Sequence, residues 1–141
     1  MSEASMWETV RKKLQGFDPV RVENVVDNGT PDVDTIHGWI ELKYKAEWPK
    51  RPSTPLRLPH FTPQQRTWLF RRVLSGGRAF LLLKVANDWL LFDGAVASRV
   101  LGEKTKDELI AFSLAYWPNS LLEEEFRTCL KTYNFLNQRS S

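Results

Sequence analysis

The chain holds one cysteine, Cys129, and two histidines, His37 and His60, among 141 residues. A single thiol excludes an internal disulfide framework and a cysteine-built zinc cage, and makes a reducing cytoplasm the expected compartment. Two isolated histidines are too few for a histidine zinc site, and His37 reads as a turn residue. No apolar run approaches the length that crosses a bilayer. The start MSEASMWETV has no basic region leading into an apolar stretch, so neither a membrane partner nor export is expected. No glycine-rich loop runs into Lys and Ser/Thr, which excludes nucleotide hydrolysis of the P-loop kind. Internal repeats and low-complexity tracts are also missing.

What is present is the composition of a globular protein, 42% hydrophobic and 26% charged, long enough for one domain over residues 1–141. The net charge of +3 is unevenly spread. From Met1 to Lys84 there are 14 Lys and Arg against 9 Asp and Glu, and from Val85 onward 6 against 8. A basic front half suits a polyanionic partner such as nucleic acid, although ordinary domains also carry basic faces.

Local signals divide the chain. Ser5-Met6-Trp7-Glu8 has the form of a capping box, and Trp7, Val10 and Leu14 recur at helical spacing, predicting a helix over Met6 to Gln15 before Gly16. Alternating valines predict a strand over Val20 to Val26, and Asp27-Asn28-Gly29-Thr30-Pro31 is a dense turn. Asp32 to Ile36 and Gly38 to Tyr44 read as strands joined tightly at His37-Gly38. Four prolines between Ala46 and Pro59 forbid regular structure and leave a stiff basic loop over 46–60. A second capping box at Thr62-Pro63-Gln64-Gln65 opens a helix that ends at Gly76-Gly77. Ala79 to Val85 reads as a buried strand, with Trp89 to Phe92 following across a turn at Asn87-Asp88. The remainder reads as helical, ending in an amphipathic helix over Ser120 to Asn137 (119–137 at its widest) with Leu122, Phe126, Leu130 and Tyr133 as its stripe. This order predicts an α/β fold, a mixed β-sheet flanked by helices.

One stretch could carry chemistry: Gly29-Thr30-Pro31-Asp32, then Ile40-Glu41-Leu42-Lys43. On a strand Glu41 and Lys43 share a face, and pairing of the two strands can bring the Asp32 carboxylate beside that of Glu41. A hard divalent cation relieves the repulsion of two such carboxylates, and magnesium commonly uses one or two of them while keeping waters. The Leu42 carbonyl could complete the shell. Such an ion lowers the pKa of a bound water and polarises a phosphate, and Lys43 could orient that water and offset developing negative charge. The same residues also suit a solvated, salt-bridged strand face. Asp34 shares the face of Asp32, either as an outer acid or as a solvated one.

The segment from Arg21-Val22-Glu23-Asn24 through Gly29-Thr30-Pro31-Asp32-Val33 to Trp39-Ile40-Glu41-Leu42-Lys43 resembles the PD-(D/E)xK nuclease superfamily. It looks especially like small phage endonucleases, including Holliday-junction resolvases, and the related VRR-NUC domains. Members have a glycine before the prolyl-aspartate, an aromatic before E-x-K, and then a helix with a glutamine near its start. Here that helix holds Gln64 and Gln65, and the resemblance covers residues 21 to 85. It implies a restriction-endonuclease-like core, with Asp32 and Glu41 as magnesium ligands (manganese substituting) and Lys43 as the catalytic lysine. Glu23 stands where some relatives carry an additional acid, Glu8 where some carry a first-helix acid, and Gln65 is a candidate site residue.

The leading expectation is therefore a magnesium-dependent endodeoxyribonuclease acting on DNA, branched DNA in particular, in a bacterium or a phage-infected host. Lys45, Lys50, Arg51, Arg66 and Arg72 are the candidate phosphate contacts. Trp48 could stack on a base, with anchoring of the loop as the plainer role. A homodimer is expected if the substrate is a four-way junction, which presents two equivalent cleavage sites. Two other readings stand beside it: a non-catalytic nucleic-acid-binding module on the same fold, and an interaction module using the last helix.

Overall fold

The computed structural model describes residues 2–136. Its centre is a six-stranded sheet in the order β1-β2-β3-β4-β5-β6, comprising Val20–Arg21, Val33–Thr35, Gly38–Lys45, Ala79–Val85, Asp88–Asp93 and Ala115–Trp117. Only β3 and β4 run parallel. The other neighbours are antiparallel, so this is the expected mixed sheet of an α/β protein. The helices are α1 Glu3–Lys13, α2 Pro63–Leu74, α3 Gly94–Val100, α4 Lys106–Phe112 and α5 Glu123–Thr132.

Parallel neighbours need a long crossover, and here the proline-rich loop and α2 supply it. The capping box of α2 forms as its sequence predicts: the Thr62 side chain accepts from Gln65 N–H, and Gln65 Oε1 accepts from Thr62 N–H. Trp68 of α2 meets Trp39 of β3 edge-on at 5.3 Å, which fixes α2 on that face of the sheet. On the opposite face Phe80 packs against Tyr133 and Phe135, and Arg127 of α5 donates to the Lys13 and Gln15 carbonyls at the end of α1. All seven residues of β4 are buried, as befits a central strand covered on both faces.

Arg78 fastens the chain's far end to the start of the hairpin. Its guanidinium donates to the carbonyls of His37, Leu130 and Tyr133 and lies over the rings of Phe80 and Phe135. The hairpin turn is closed by Thr35, whose hydroxyl donates to the Gly38 carbonyl and accepts the His37 N–H. His37 is thus a turn residue, its ring edge-on to Phe17.

Several boundaries differ from expectation. The cap of α1 is Ser2, which accepts from Ser5 N–H, so Ser5 and Glu8 lie inside the helix and form no capping box. Glu8 instead pairs with Arg11 at 2.7 Å on the surface. Strand β1 ends at Arg21, well short of Val26. Asn24 Oδ1 accepts the N–H groups of Val26 and Asp27, a side-chain turn that competes with a strand ladder, and leaves Val25 and Val26 90% and 91% exposed. The turn between β4 and β5 is at Ala86-Asn87, with Ala86 at a positive φ of 53°. A sixth strand interrupts the stretch expected to be helical, and α5 is shorter than Ser120 to Asn137. Asn137 lies outside the described residues. Phe126 and Leu130 are buried, whereas Leu122 at the head of the predicted stripe is 48% exposed.

Candidate active site

The β2–β3 hairpin builds the site by register. Val33 pairs with Ile40, so the next residues outward, Asp32 and Glu41, stand across from each other. Directly opposite residues of an antiparallel pair project to the same face, which brings the two carboxyl groups together. Glu41 and Lys43, two apart on β3, share that face as well.

One step further, the same register sets Pro31 across from Leu42. Proline has no N–H to donate, so the ladder cannot continue there. The Leu42 N–H goes instead to the Asp32 side chain, whose Oδ2 accepts it at 2.8 Å. A strand residue's N–H and C=O point to the same edge, so the Leu42 carbonyl also faces Asp32, without a donor from Pro31. Arg21 Nη1 adds a longer contact, 3.3 Å, to Asp32 Oδ1 and also donates to the Val22 and Asp32 carbonyls. The turn before Asp32 lies hard against α2. A Cβ on Gly29 would stand 2.5 Å from the Gln64 carbonyl oxygen, so only glycine allows this approach.

Glu41 is 1% exposed, and neither of its carboxyl oxygens has a hydrogen-bond donor. Burial, with the neighbouring Asp32 charge adding to it and Lys43 opposing, pushes its pKa up to about 9. A proton on Glu41 relieves the repulsion between the two carboxylates. Lys43 is 5% exposed, and its Nζ donates to the His60 carbonyl at 3.1 Å, with the Phe61 ring 5.9 Å away. The chain entering α2 therefore packs on Lys43.

A small cavity of about 30 Å³ opens beside Lys43, walled also by Glu3, Lys45 and the returning loop at Pro59-His60-Phe61. It has room for a water or an ion and none for a nucleotide, so a substrate would lie across its mouth. Asp32 and Glu41 are not among its walls, and the larger surface hollows lie elsewhere.

Glu3, in the first turn of α1, is the residue that sequence reasoning passed over in favour of Glu8. Although exposed as a residue, its carboxyl is partly desolvated, which raises its pKa, and it feels the charges of Lys43 and Asp32. The shift of the helix start from Met6 to Glu3 is what brings it here. Glu23 is exposed on the coil after β1 and has no polar contact to the pair. Gln65 has its oxygen committed to the α2 cap. Asp34 is half-buried on the Asp32 face, across from Trp39.

Of the candidate phosphate contacts, Lys50 and Arg51 are exposed on the loop and Lys45 is half-buried at the cavity. Arg66 is turned inward, donating to the Ser98 carbonyl 4.3 Å above Phe61. Arg72 lies over Trp68 at 4.4 Å and beside Trp39. Trp48 anchors the loop through an indole hydrogen bond to Asp88.

The donor set suits a hard divalent ion on one observation: buried, unpartnered carboxyl oxygens on Glu41 beside a second carboxylate. No group of three or more His, Cys, Asp or Glu side chains is arranged to hold a metal among the described residues. An ion here would thus rely on the two carboxylates, the Leu42 carbonyl and water. No helix among the described residues is long and apolar enough to cross a membrane. Compared with protein families, curated proteins and solved structures, the chain matches none.

Proposed function

We propose that the chain is a magnesium-dependent endodeoxyribonuclease of the PD-(D/E)xK type, with a restriction-endonuclease-like core, acting on branched DNA in the manner of a junction resolvase. The observation that carries this reading is the register: it aligns Asp32 with Glu41, sets Lys43 on the same face, and puts Pro31 where a ladder donor to Leu42 would otherwise stand. A salt-bridged surface face has no use for a 1% exposed glutamate without a partner.

Asp32 and Glu41, with the Leu42 carbonyl, would hold a magnesium ion, and manganese in its place; the ion supplies an acidified water and offsets charge on the scissile phosphate. Lys43, fixed by the His60 carbonyl, presents a nearly dehydrated ammonium that orients the attacking water and stabilises negative charge building on the phosphate. Glu3 and Lys43 both wall the small cavity, where the Glu3 carboxyl would accept a hydrogen bond from a bound water. Lys45, Lys50 and Arg51 seat the DNA backbone. A non-catalytic nucleic-acid-binding module is the second reading, favoured because no group of three or more metal-binding side chains is assembled among the described residues.

The deciding experiment offers a labelled four-way junction, a duplex and a single strand to the wild type and to Lys43→Ala, with Mg²⁺ or EDTA. Symmetric, metal-dependent junction cuts that the variant loses support the proposal in full. Cutting of the other DNAs alone keeps the nuclease and removes the junction role. Intact binding without cutting of any DNA selects the non-catalytic module.

A further inference from the structure

Both ends of the proline-rich loop touch the candidate site: Lys45 at its departure and Pro59-His60-Phe61 at its return all wall the small cavity at Lys43. The loop itself encloses a second hollow of about 300 Å³ against the start of α4. This one is large enough for a nucleotide-sized group. Its apolar walls are the Trp48 indole and the rings of Pro49 and Pro52, and its cations are Lys50, Arg51 and Lys106 against one acid, Asp107.

Three features make the hollow preformed. Trp48 is pinned by its indole N–H, which donates to Asp88 at 2.9 Å, and Lys106 lies 5.2 Å from its ring while pairing with the same aspartate. The Thr54 N–H closes a turn on the Arg51 carbonyl, and the Leu56 N–H donates to the Lys104 carbonyl, tying the loop to the segment before α4. The prolines stiffen what remains. Among the described residues, Lys50 and Arg51 meet no acidic partner, so their charge is available to an anion.

A rigid aromatic and prolyl wall with unpaired cations matches a flat ring carried on a phosphate chain. In a duplex both faces of a base are already stacked, so the occupant must be unpaired. We propose that the hollow under the proline-rich loop is a subsite for one unpaired nucleotide of a single-stranded segment, the base lying against Trp48 and the prolines and its phosphate on Lys50 and Arg51. This rests on the nuclease reading above and adds to it branched DNA with a single-stranded portion beside the cut, such as a flap, since the arms of a four-way junction are fully paired. Trp48 lies three positions after Lys45, at most about 11 Å of extended chain, so a strand crossing Lys43 reaches the hollow within a few nucleotides.

The test is binding in EDTA, which separates it from cleavage. A labelled ten-residue oligothymidylate is titrated by fluorescence anisotropy against an abasic strand of equal length, and the indole N–H signal of Trp48, assigned through Trp48→Phe, is followed by NMR. The wild type should prefer the thymidylate by about tenfold, in the range that stacking one base contributes, with the Trp48 signal shifting on binding. Trp48→Leu should remove the preference. Because that variant could disturb the loop, Lys50→Glu with Arg51→Glu, both at exposed positions, should lower thymidylate affinity at least tenfold. Equal binding of the abasic strand, or an unmoved Trp48 signal at saturation, overturns the subsite. Absence of cleavage of any of the DNAs with this preference intact overturns the nuclease alone, and cleavage without the preference overturns the subsite alone.

Discussion

Asp32 Oδ2 accepts the Leu42 N–H at 2.8 Å, so a side-chain carboxylate takes the β3 donor at the point where Pro31 stands opposite and the β2–β3 ladder stops. Position and charge of that carboxylate are therefore separable by substitution. Asp32→Asn keeps an oxygen for the Leu42 N–H and removes the charge beside Glu41. It should melt within a few degrees of the wild type and lose at least about a hundredfold in Mg²⁺-dependent cleavage. Thermal melts and initial cleavage rates on one preparation check both halves.

Glu41 predicts a direction for stability against pH. Its pKa rises from 4.5 to about 9 on folding, so the folded chain binds the proton more tightly than the unfolded chain does. The resulting stabilisation is fully present below pH 4.5 and is lost progressively as pH climbs through about 9. In Glu41→Gln this dependence vanishes. The melting temperature of the wild type minus that of the variant should fall steadily across that range, and a difference that grows with pH refutes the assignment.

Glu3 and Glu8 sit on the same helix in unlike surroundings. Glu3→Gln should slow cleavage about tenfold with little effect on melting, while Glu8→Gln, which removes only an exposed ion pair, should leave the rate unchanged. Equal rates for the two variants would remove Glu3 from the site.

Gly29 and Gly76 make a matched pair. A Cβ at Gly76 meets nothing within 4 Å but is strained by a φ of +102°, whereas one at Gly29 collides with the Gln64 backbone. Each alanine variant should cost about 1–3 kcal/mol in urea denaturation. Only Gly29→Ala should also depress cleavage, because it pushes the turn carrying Asp32 away from α2.

Arg78 bonds three carbonyls at once. Arg78→Ala leaves them without their donor and should cost about 3 kcal/mol in urea denaturation. Arg78→Lys should recover only part of that loss, since a single ammonium cannot reproduce the planar fork.

The sequence made the mixed α/β order and the hairpin legible because both are written locally. Alternation fixes which of residues 38–45 share a face, and Pro31-Asp32 marks where pairing stops. The α2 capping box was equally plain, as its partners are three residues apart. What stayed hidden is non-local or decided by a single side chain. Nothing near Lys43 in sequence announces His60 as its hydrogen-bond acceptor, 17 residues away. Asn24 ends β1 by bonding its own backbone, against the pull of four valines. Ser2 and Ser5 compete for one helix start, and Ser2 brings Glu3 to the Lys43 cavity while Glu8, which reads as a capping residue, pairs with Arg11. For β6, only three residues long, partners on β5 decide what its own short pattern could not.

The contact between Lys43 and the His60 carbonyl closes the proline-rich loop at its base. Its apex, Arg51 to Thr54, is wholly exposed. Between base and apex the loop is tied again at Trp48 to Asp88 and at Leu56 to the Lys104 carbonyl, so a change at the apex is not passed on to the base. Extra residues at Ser53 would open the Arg51–Thr54 turn and reshape the hollow while leaving Lys43 where it is. The scaffold thus keeps the buried Lys43 apart from the exposed stretch that walls the second hollow, so the outer surface can change in sequence while the hairpin stays intact.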